Sequence, residues 1–182
     1  MSSQSIDIET LVKANVREVA DFPKAGISFK DITPLLLDAK VSQQILTALI
    51  EHARPLNLSA IVGIDSRGFL FGPSLARALG LPFVLIRKKG KLPADTIQVD
   101  YDLEYGTACL EIHKDAIKAG DRVLIHDDLL ATGGTAIASA QLVQQLGGEI
   151  AGFAFVIELA FLQGRQSLRQ YGSCFSLADY QS

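Results

Sequence analysis

Arg122 to Thr135 reads RVLIHDDLLATGGT, an apolar strand that ends in two acids and then in a turn rich in glycine and threonine. Val123, Leu124 and Ile125 form a short aliphatic run, too short to cross a membrane and typical of a strand buried on both faces. Asp127 and Asp128 sit at its C-terminal end. Ala131, Thr132, Gly133, Gly134 and Thr135 then lead into AIASAQLVQQLG, where Ile137, Ala140, Leu142, Val143 and Leu146 approximate a helical stripe. The order is strand, loop, helix. The first N–H groups of such a helix lack internal partners, and glycines let the backbone approach an anion closely, so the turn is a cradle for one phosphate monoester. Charge-assisted hydrogen bonds contribute roughly 1.5–3 kcal/mol each, and the helix dipole up to about 2 kcal/mol more. Carboxylates repel phosphate, so Asp127 and Asp128 must face something else. Vicinal ribose hydroxyls donate hydrogen bonds, and a ribose 5-phosphate satisfies the whole run. The plain alternative is a polar turn whose Thr or Asp merely caps a helix. The run has no Lys after its glycines, so it is not a Walker A loop, and it is not GxGxxG.

The chain around this run has 182 residues, enough for one domain with a sizeable core. Hydrophobic residues make up 48% and the net charge is −3, which argues against general nucleic-acid or membrane binding and leaves small molecules as partners. Residues 1 to 20 carry Asp7, Glu9 and Glu18 and no unbroken apolar stretch, so neither a signal peptide nor a spanning helix is expected, and a cytoplasmic location is. Cys109 and Cys174 lack CxxC spacing, which predicts free thiols rather than zinc ligation.

From the N-terminus, Ile8, Leu11, Val12, Val16 and Val19 recur at helical spacing behind Ser5 or Asp7 as cap. DFPKAGISFKDIT, residues 21 to 33, is broken by Pro23 and Gly26 before a short extended stretch. Val41, Ile45, Leu49 and Ala53 mark a second helix, which Pro55 closes. Ala60 to Ile64 repeats the strand, turn, helix pattern, with Asp65, Ser66, Arg67 and Gly68 as the polar turn, Phe69 to Leu79 as the helix and Gly80 as its C-cap. Phe83 to Ile86 reads as another buried strand and runs into RKKGKLP. Residues 97 to 113 alternate, with Val99, Tyr101 and Leu103 on one arm and Ala108, Leu110 and Ile112 on the other, which predicts an antiparallel hairpin acting as a flap. Ile150 to Leu159 is a further strand, and a short CFSL segment finishes the chain. Strands alternating with helices, and ligand-like turns at strand C-termini, predict an α/β fold: a mainly parallel twisted sheet flanked by helices, with the site along that edge.

A donor ribose needs a leaving group, and two turns offer cations for it. Arg67 beside Gly68 supplies a guanidinium fork and backbone N–H groups, and Arg87, Lys88 and Lys91 of the basic cluster around Gly90 are the other candidates. RKKGKLP alone reads equally well as a solvated basic loop, Phe29 as a core residue, and His126 as a structural, hydrogen-bonded histidine. His52 and His113 have no metal spacing and read as superficial.

DDLLATGGT, GIDSRGFLFGP, the basic run before LP, DFPKAGISFKDIT, LEYGT and LEIHKDAI together resemble the type I phosphoribosyltransferase family, in its adenine-specific form, from Phe22 to about Leu168. The resemblance implies a single domain over 1–182, with a small N-terminal hood over about 1–35 and a flexible catalytic hairpin over about 88–113. It implies Mg2+-dependent transfer of the 5-phosphoribosyl group of phosphoribosyl diphosphate (PRPP) to adenine by a cytoplasmic homodimer. It assigns the 5-phosphate to Ala131, Thr132, Gly133, Gly134 and Thr135, and pyrophosphate to Asp65, Ser66, Arg67, Arg87, Lys88 and Lys91. The base goes to Ser28, Phe29 and Lys30, with backbone groups reading its edge. Glu104 becomes the acid/base residue with Tyr105 beside it in the loop, and Arg67, Asp127 and Asp128 complete the catalytic set. Mg2+ would be held mainly through PRPP or pyrophosphate oxygens, with no direct protein ligand. The peptide between Asp65 and Ser66 is expected to be cis. Ala25 stands where the family commonly has Pro, and His126 where an aliphatic residue is usual. Two rival readings are a transferase for 6-oxopurines and a PRPP-sensing regulator that has lost catalysis; the second lacks the spare nucleic-acid-binding element such proteins carry.

Overall fold

The computed structural model describes residues 7–103 and 106–182, and side chains outside 102–106. Among the described residues, nine strands and six α-helices follow in chain order: α1 (Ile8–Asn15), β1 (Arg17–Ala20), β2 (Ser28–Asp31), α2 (Thr33–Leu37), α3 (Ala39–Ala53), β3 (Ala60–Ile64), α4 (Gly72–Leu79), β4 (Phe83–Lys88), β5 (Thr96–Leu103), β6 (Gly106–His113), β7 (Arg122–Leu130), α5 (Gly134–Gln145), β8 (Glu149–Leu159), α6 (Gly164–Leu168) and β9 (Cys174–Tyr180). Seven strands form one sheet in the order β5-β6-β4-β3-β7-β8-β9. Strands β4, β3, β7, β8 and β9 run parallel, and the β5–β6 hairpin joins β4 antiparallel.

The period-2 geometry of the central strands divides the core. Val62, Ile64, Val123, Ile125, Phe153 and Phe155 point to one face, under Ala138, Leu142 and Val143 of α5. Ile61, Leu124, Ala154 and Val156 point to the other, under Val12, Leu35, Ile45, Leu49 and Leu75 of α1 to α4. Burial on both faces is why these strands read as continuous apolar runs. Burying a side chain such as Phe153 or Leu124 contributes roughly 1.5–3 kcal/mol, so the sheet centre is the rigid part on which the loops are mounted. From β3 the chain crosses through α4 to β4 on one side and later returns to β7 on the other. Chain direction therefore diverges between the C-terminal ends of β3 and β7, where open α/β sheets form ligand crevices.

Several local readings change. Asp7 caps α1 by accepting from the N–H of Thr10 at 3.3 Å, but the helix ends at Asn15 and Val19 lies in β1 opposite Phe29. The three-residue spacing of Val16 and Val19 fits a helix equally well, and the cross-strand pairing with β2 decides against it. Helix α2 was not foreseen. After Ser66 the chain makes a single 3-10 turn over Arg67–Phe69, and α4 begins only at Gly72, where Pro73 suits the first helical turn. Strand β4 is less buried than expected, with Leu85 37% exposed, and it extends through Arg87 and Lys88, so the basic cluster starts inside a strand. The hairpin is continuous with the main sheet at its base, where Arg87 and Lys88 pair with Glu111 and Leu110. The C-terminal segment is a full edge strand, β9. His52 is not superficial: its ring stacks on Phe175 at 3.8 Å, and burial pushes its pKa down.

Candidate active site

Strand β7 runs through both acids to Leu130, pairing Asp127 with Phe155 and Leu130 with Glu158. Successive strand residues point to opposite faces, so the two carboxylates cannot share one orientation. Asp127 lines the cleft, while Asp128 is 1% exposed and its Oδ2 lies 3.1 Å from Arg67 Nε. Of the two acids expected to face a sugar, Asp127 opens onto the cleft, whereas Asp128 faces the Arg67 guanidinium. Burial, then the neighbouring Asp128 charge, pushes the Asp127 carboxyl well above the ordinary carboxylate range, and burial raises Asp128 as well, partly offset by Arg67.

That direction carries a stability consequence. A carboxyl whose pKa is higher folded than unfolded destabilises the fold progressively as pH rises from its unfolded value of about 4 to its folded one, and the penalty vanishes below the unfolded value. Asp127→Asn is therefore expected to raise Tm at neutral pH and to raise it less near pH 4. A thermal melt at the two values checks this, and equal shifts at both would contradict the burial of charge.

Beyond Leu130 the loop reaches Gly133, whose φ of +91° is a left-handed conformation that suits glycine. Helix α5 starts there with no side chain capping it, so its first N–H groups point unpaired by side chains into a cavity of about 190 Å³. Ala131, Thr132, Gly133, Gly134 and Thr135 line that cavity together with Arg67 and Asp127. A second cavity of about 550 Å³ adjoins it, bounded by Asp65, Ser66, Arg67, Lys88, Lys89, Asp127 and Thr135, and by Tyr101, Ala108 and Cys109 of the hairpin. Arg67, Asp127 and Thr135 belong to both cavities, so the two spaces form one cleft with an anion cradle at one end and cations at the other.

The peptide between Asp65 and Ser66 is cis, as expected. Asp65 itself is 5% exposed, with Arg87 Nε at 3.1 Å and Lys91 Nζ at 3.4 Å. Burial alone would raise its carboxyl, but hydrogen bonds and charge from Arg87 and Lys91 outweigh that and hold it below the usual range. Asp65, Arg87 and Lys91 thus form one ionic unit: the carboxylate braces the cations and is not itself a group for an anion. Glu111 adds a second brace, accepting the N–H groups of Lys91 and Leu92 at 2.8 and 2.7 Å. Of the basic run 87–91, Lys88 and Lys89 reach the cavity wall beside Arg67, and Lys89 lies outside the pyrophosphate set expected from the sequence.

Ser28, Phe29 and Lys30 lie on β2 above this cleft. Phe29 shares a cavity of about 240 Å³ with Val19, Phe22 and Asp31, packs edge-on to Phe22 at 5.1 Å, and has the Arg67 guanidinium carbon 5.8 Å from its ring centroid. Lys30 points the other way. It is 5% exposed, ion-paired to Glu18 at 2.5 Å and set 4.8 Å from the ring centroid of Tyr180, so its side chain holds β2 against β9 and only its backbone is free to meet a base. Among the described residues β2 has β1 as its single strand neighbour, which leaves its outer edge unpaired by a strand. Glu104 and Tyr105 lie outside the described residues. His126 is fully buried with Nδ1 2.9 Å from the Ala154 carbonyl, and burial lowers its pKa to about 4, so it is a neutral structural ring under the acids.

A model of the phosphoribosyl transferase domain matches residues 32–176. An adenine phosphoribosyltransferase of Clostridium perfringens (strain SM101 / Type A) is 54% identical over 169 residues, covering 93% of this chain and 98% of that protein. The crystal structure of adenine phosphoribosyltransferase from Thermoanaerobacter pseudethanolicus superposes with a TM-score of 0.89 at 51% identity, over 93% of this chain and 98% of its own. That of the Saccharomyces cerevisiae enzyme, complexed with an imino-altritol bisphosphate and adenine, gives a TM-score of 0.89 at 41% identity, over 93% and 98%.

Proposed function

The chain belongs to the phosphoribosyl transferase family, and from that membership we propose the reaction its cleft performs: transfer of the 5-phosphoribosyl group of PRPP to N9 of adenine, giving AMP and pyrophosphate in purine salvage. One observation carries this reading: Arg67, Asp127 and Thr135 line both the uncapped N-terminus of α5 and the cavity bounded by Lys88 and Lys89, so a single donor can span them.

In this reading the 5-phosphate takes the free N–H groups and hydroxyls of 131–135, where the helix dipole favours an anion. Asp127 accepts from the ribose hydroxyls and favours the positive charge that develops at the anomeric carbon as the pyrophosphate departs. Arg67, Lys88 and Lys89 receive the leaving diphosphate, with Arg87 and Lys91 held in place behind them by Asp65. Adenine stacks on Phe29, worth roughly 1–3 kcal/mol, while the free edge of β2 offers carbonyl and N–H groups to its amino-pyrimidine edge. Glu104 manages the purine proton, and closure of the hairpin with Tyr105 excludes water. Mg2+ fits this site as counter-ion of the diphosphate, because the Asp127 carboxylate lining both cavities is raised by burial and by Asp128, a cost that a nearby cation relieves. When bound, it neutralises charge on the diphosphate. The same reading includes a cytoplasmic homodimer. Separately, no helix among the described residues is long and apolar enough to cross a membrane.

A base panel tests the choice of acceptor. Turnover with adenine should exceed that with hypoxanthine or guanine by at least about 10³-fold, since an edge built to pair with an amino group leaves buried polar groups unpaired when offered an oxo group. Faster turnover of either oxopurine would transfer the chain to the other purine branch. Arg87→Ala is expected to weaken PRPP and pyrophosphate binding about tenfold, by freeing the Asp65 carboxylate that Arg87 neutralises beside the cavity, and to leave AMP affinity near normal. Titration with the three ligands reads this directly, and equal weakening of AMP would misplace Arg87.

A further inference from the structure

The dipeptide Gly164-Arg165 is built into the underside of the phosphate loop, although it does not line either cavity of the cleft. Gly164 opens α6, and a Cβ there would stand 2.1 Å from the carbonyl oxygen of Ala131 and 3.0 Å from Leu130 Cδ1. The contact is reciprocal, since a Cβ on Gly133 would stand 3.1 Å from the carbonyl oxygen of Gly164. The loop that carries Thr132 and Thr135 therefore rests on bare backbone, with no room for a side chain between them.

Arg165 fixes that backbone. Its Nε lies 3.1 and 3.0 Å from the two carboxylate oxygens of Glu158, and its Nη2 completes the fork. Its Nη1 also donates to the Cys174 carbonyl and its Nη2 to Ser176 Oγ, both at 2.5 Å, which ties α6 to β9. Glu158 is 2% exposed and sits in register with Leu130, the residue from which the phosphate loop departs. A hydrophobic pair would hold a five-residue helix against a sheet at a lower desolvation cost; what a forked ion pair adds is a single geometry.

We infer that Glu158 and Arg165 are positioning residues for the 5-phosphate: they hold Gly164 under Ala131 and Gly133 and so set the spacing of the loop's donors. This rests on the assignment of the 131–135 loop to the 5-phosphate. PRPP and AMP carry that phosphate and pyrophosphate does not, so the role predicts a pattern that general loss of structure does not produce.

The test measures KM for all four reactants, in both directions, for the full-length Arg165→Lys and Glu158→Gln variants, with Thr132→Val, which lines the phosphate cavity and not its neighbour, as control. Arg165→Lys keeps the charge and loses the fork, and Glu158→Gln keeps the shape and loses the charge. Each is expected to raise KM for PRPP and for AMP about tenfold, with KM for pyrophosphate and adenine changed less than about twofold, and the double variant should be little worse than either single one, because the two act as a unit. Thr132→Val should give the same selective rise. If Thr132→Val is selective and both ion-pair variants instead change all four constants alike, or change only Tm, the positioning role is overturned while the loop assignment stands. If Thr132→Val is itself unselective, the loop assignment falls and the inference with it.

Discussion

Arg67→Ala is expected to lower kcat/KM for PRPP by about 10³-fold, the scale seen when a preorganised donor to a developing charge is removed. Among the described residues no other side chain meets so many parts of the site. It lines both cavities, lies 3.1 Å from the buried Asp128, and places its guanidinium carbon 5.8 Å from the Phe29 ring centroid. Its loss removes a diphosphate contact and also strips Asp128 of its nearest cation, so the pair of acids should take up a proton at higher pH than in the parent. A pH profile of kcat for the variant should show its acidic limb moved upward. Retention of activity within about tenfold, with an unmoved limb, would remove Arg67 from the transition state.

Gly68→Ala tests the same corner through the backbone and should cost about 10²-fold in kcat/KM, since displacing a catalytic group by about 1 Å suffices for that. A Cβ at Gly68 would stand 2.6 Å from the carbonyl oxygen of His126 and 3.4 Å from Asp127 Oδ1. The nearest obstacle is main chain of the central strand β7, which cannot swing aside, so the turn carrying Ser66 and Arg67 must lift away from the acids. Overpacking of this kind also destabilises by roughly 1–3 kcal/mol, which a thermal melt would register alongside the kinetics. A variant with parental kinetics and parental Tm would mean that the turn has slack the close approach denies.

The central sheet and the phosphate loop were legible because their signals are local. An aliphatic run, two acids and a TGGT turn announce a strand buried on both faces and a helix N-terminus, and the structure supplies both. What escaped depends on partners distant in sequence. Val19 reads as a helical position until its pairing with Phe29 is known. Asp65 reads as one more polar turn residue, and only the approach of Arg87 and Lys91 from β4 makes it the brace for their charge. Alternation revealed the hairpin but not which face would turn Tyr101 and Cys109 toward the cleft, and Lys89 was passed over for Lys91, since only the fold shows that the turn after β4 brings Lys89 to the cavity wall. Gly164 carried no signal of its own, since its importance lies in the Ala131 carbonyl packed against it. His126, the unusual letter within the opening run, proves to be a fully buried ring bonded to the Ala154 carbonyl.

Coupled formation of AMP and pyrophosphate tests the central claim most directly. Incubated with adenine, PRPP and Mg2+, the protein should produce the two in equal amounts and none of either when adenine is omitted, as the proposed holding of donor and acceptor in one water-excluding cleft requires. Pyrophosphate released without AMP, or no AMP above the uncatalysed rate, would contradict it.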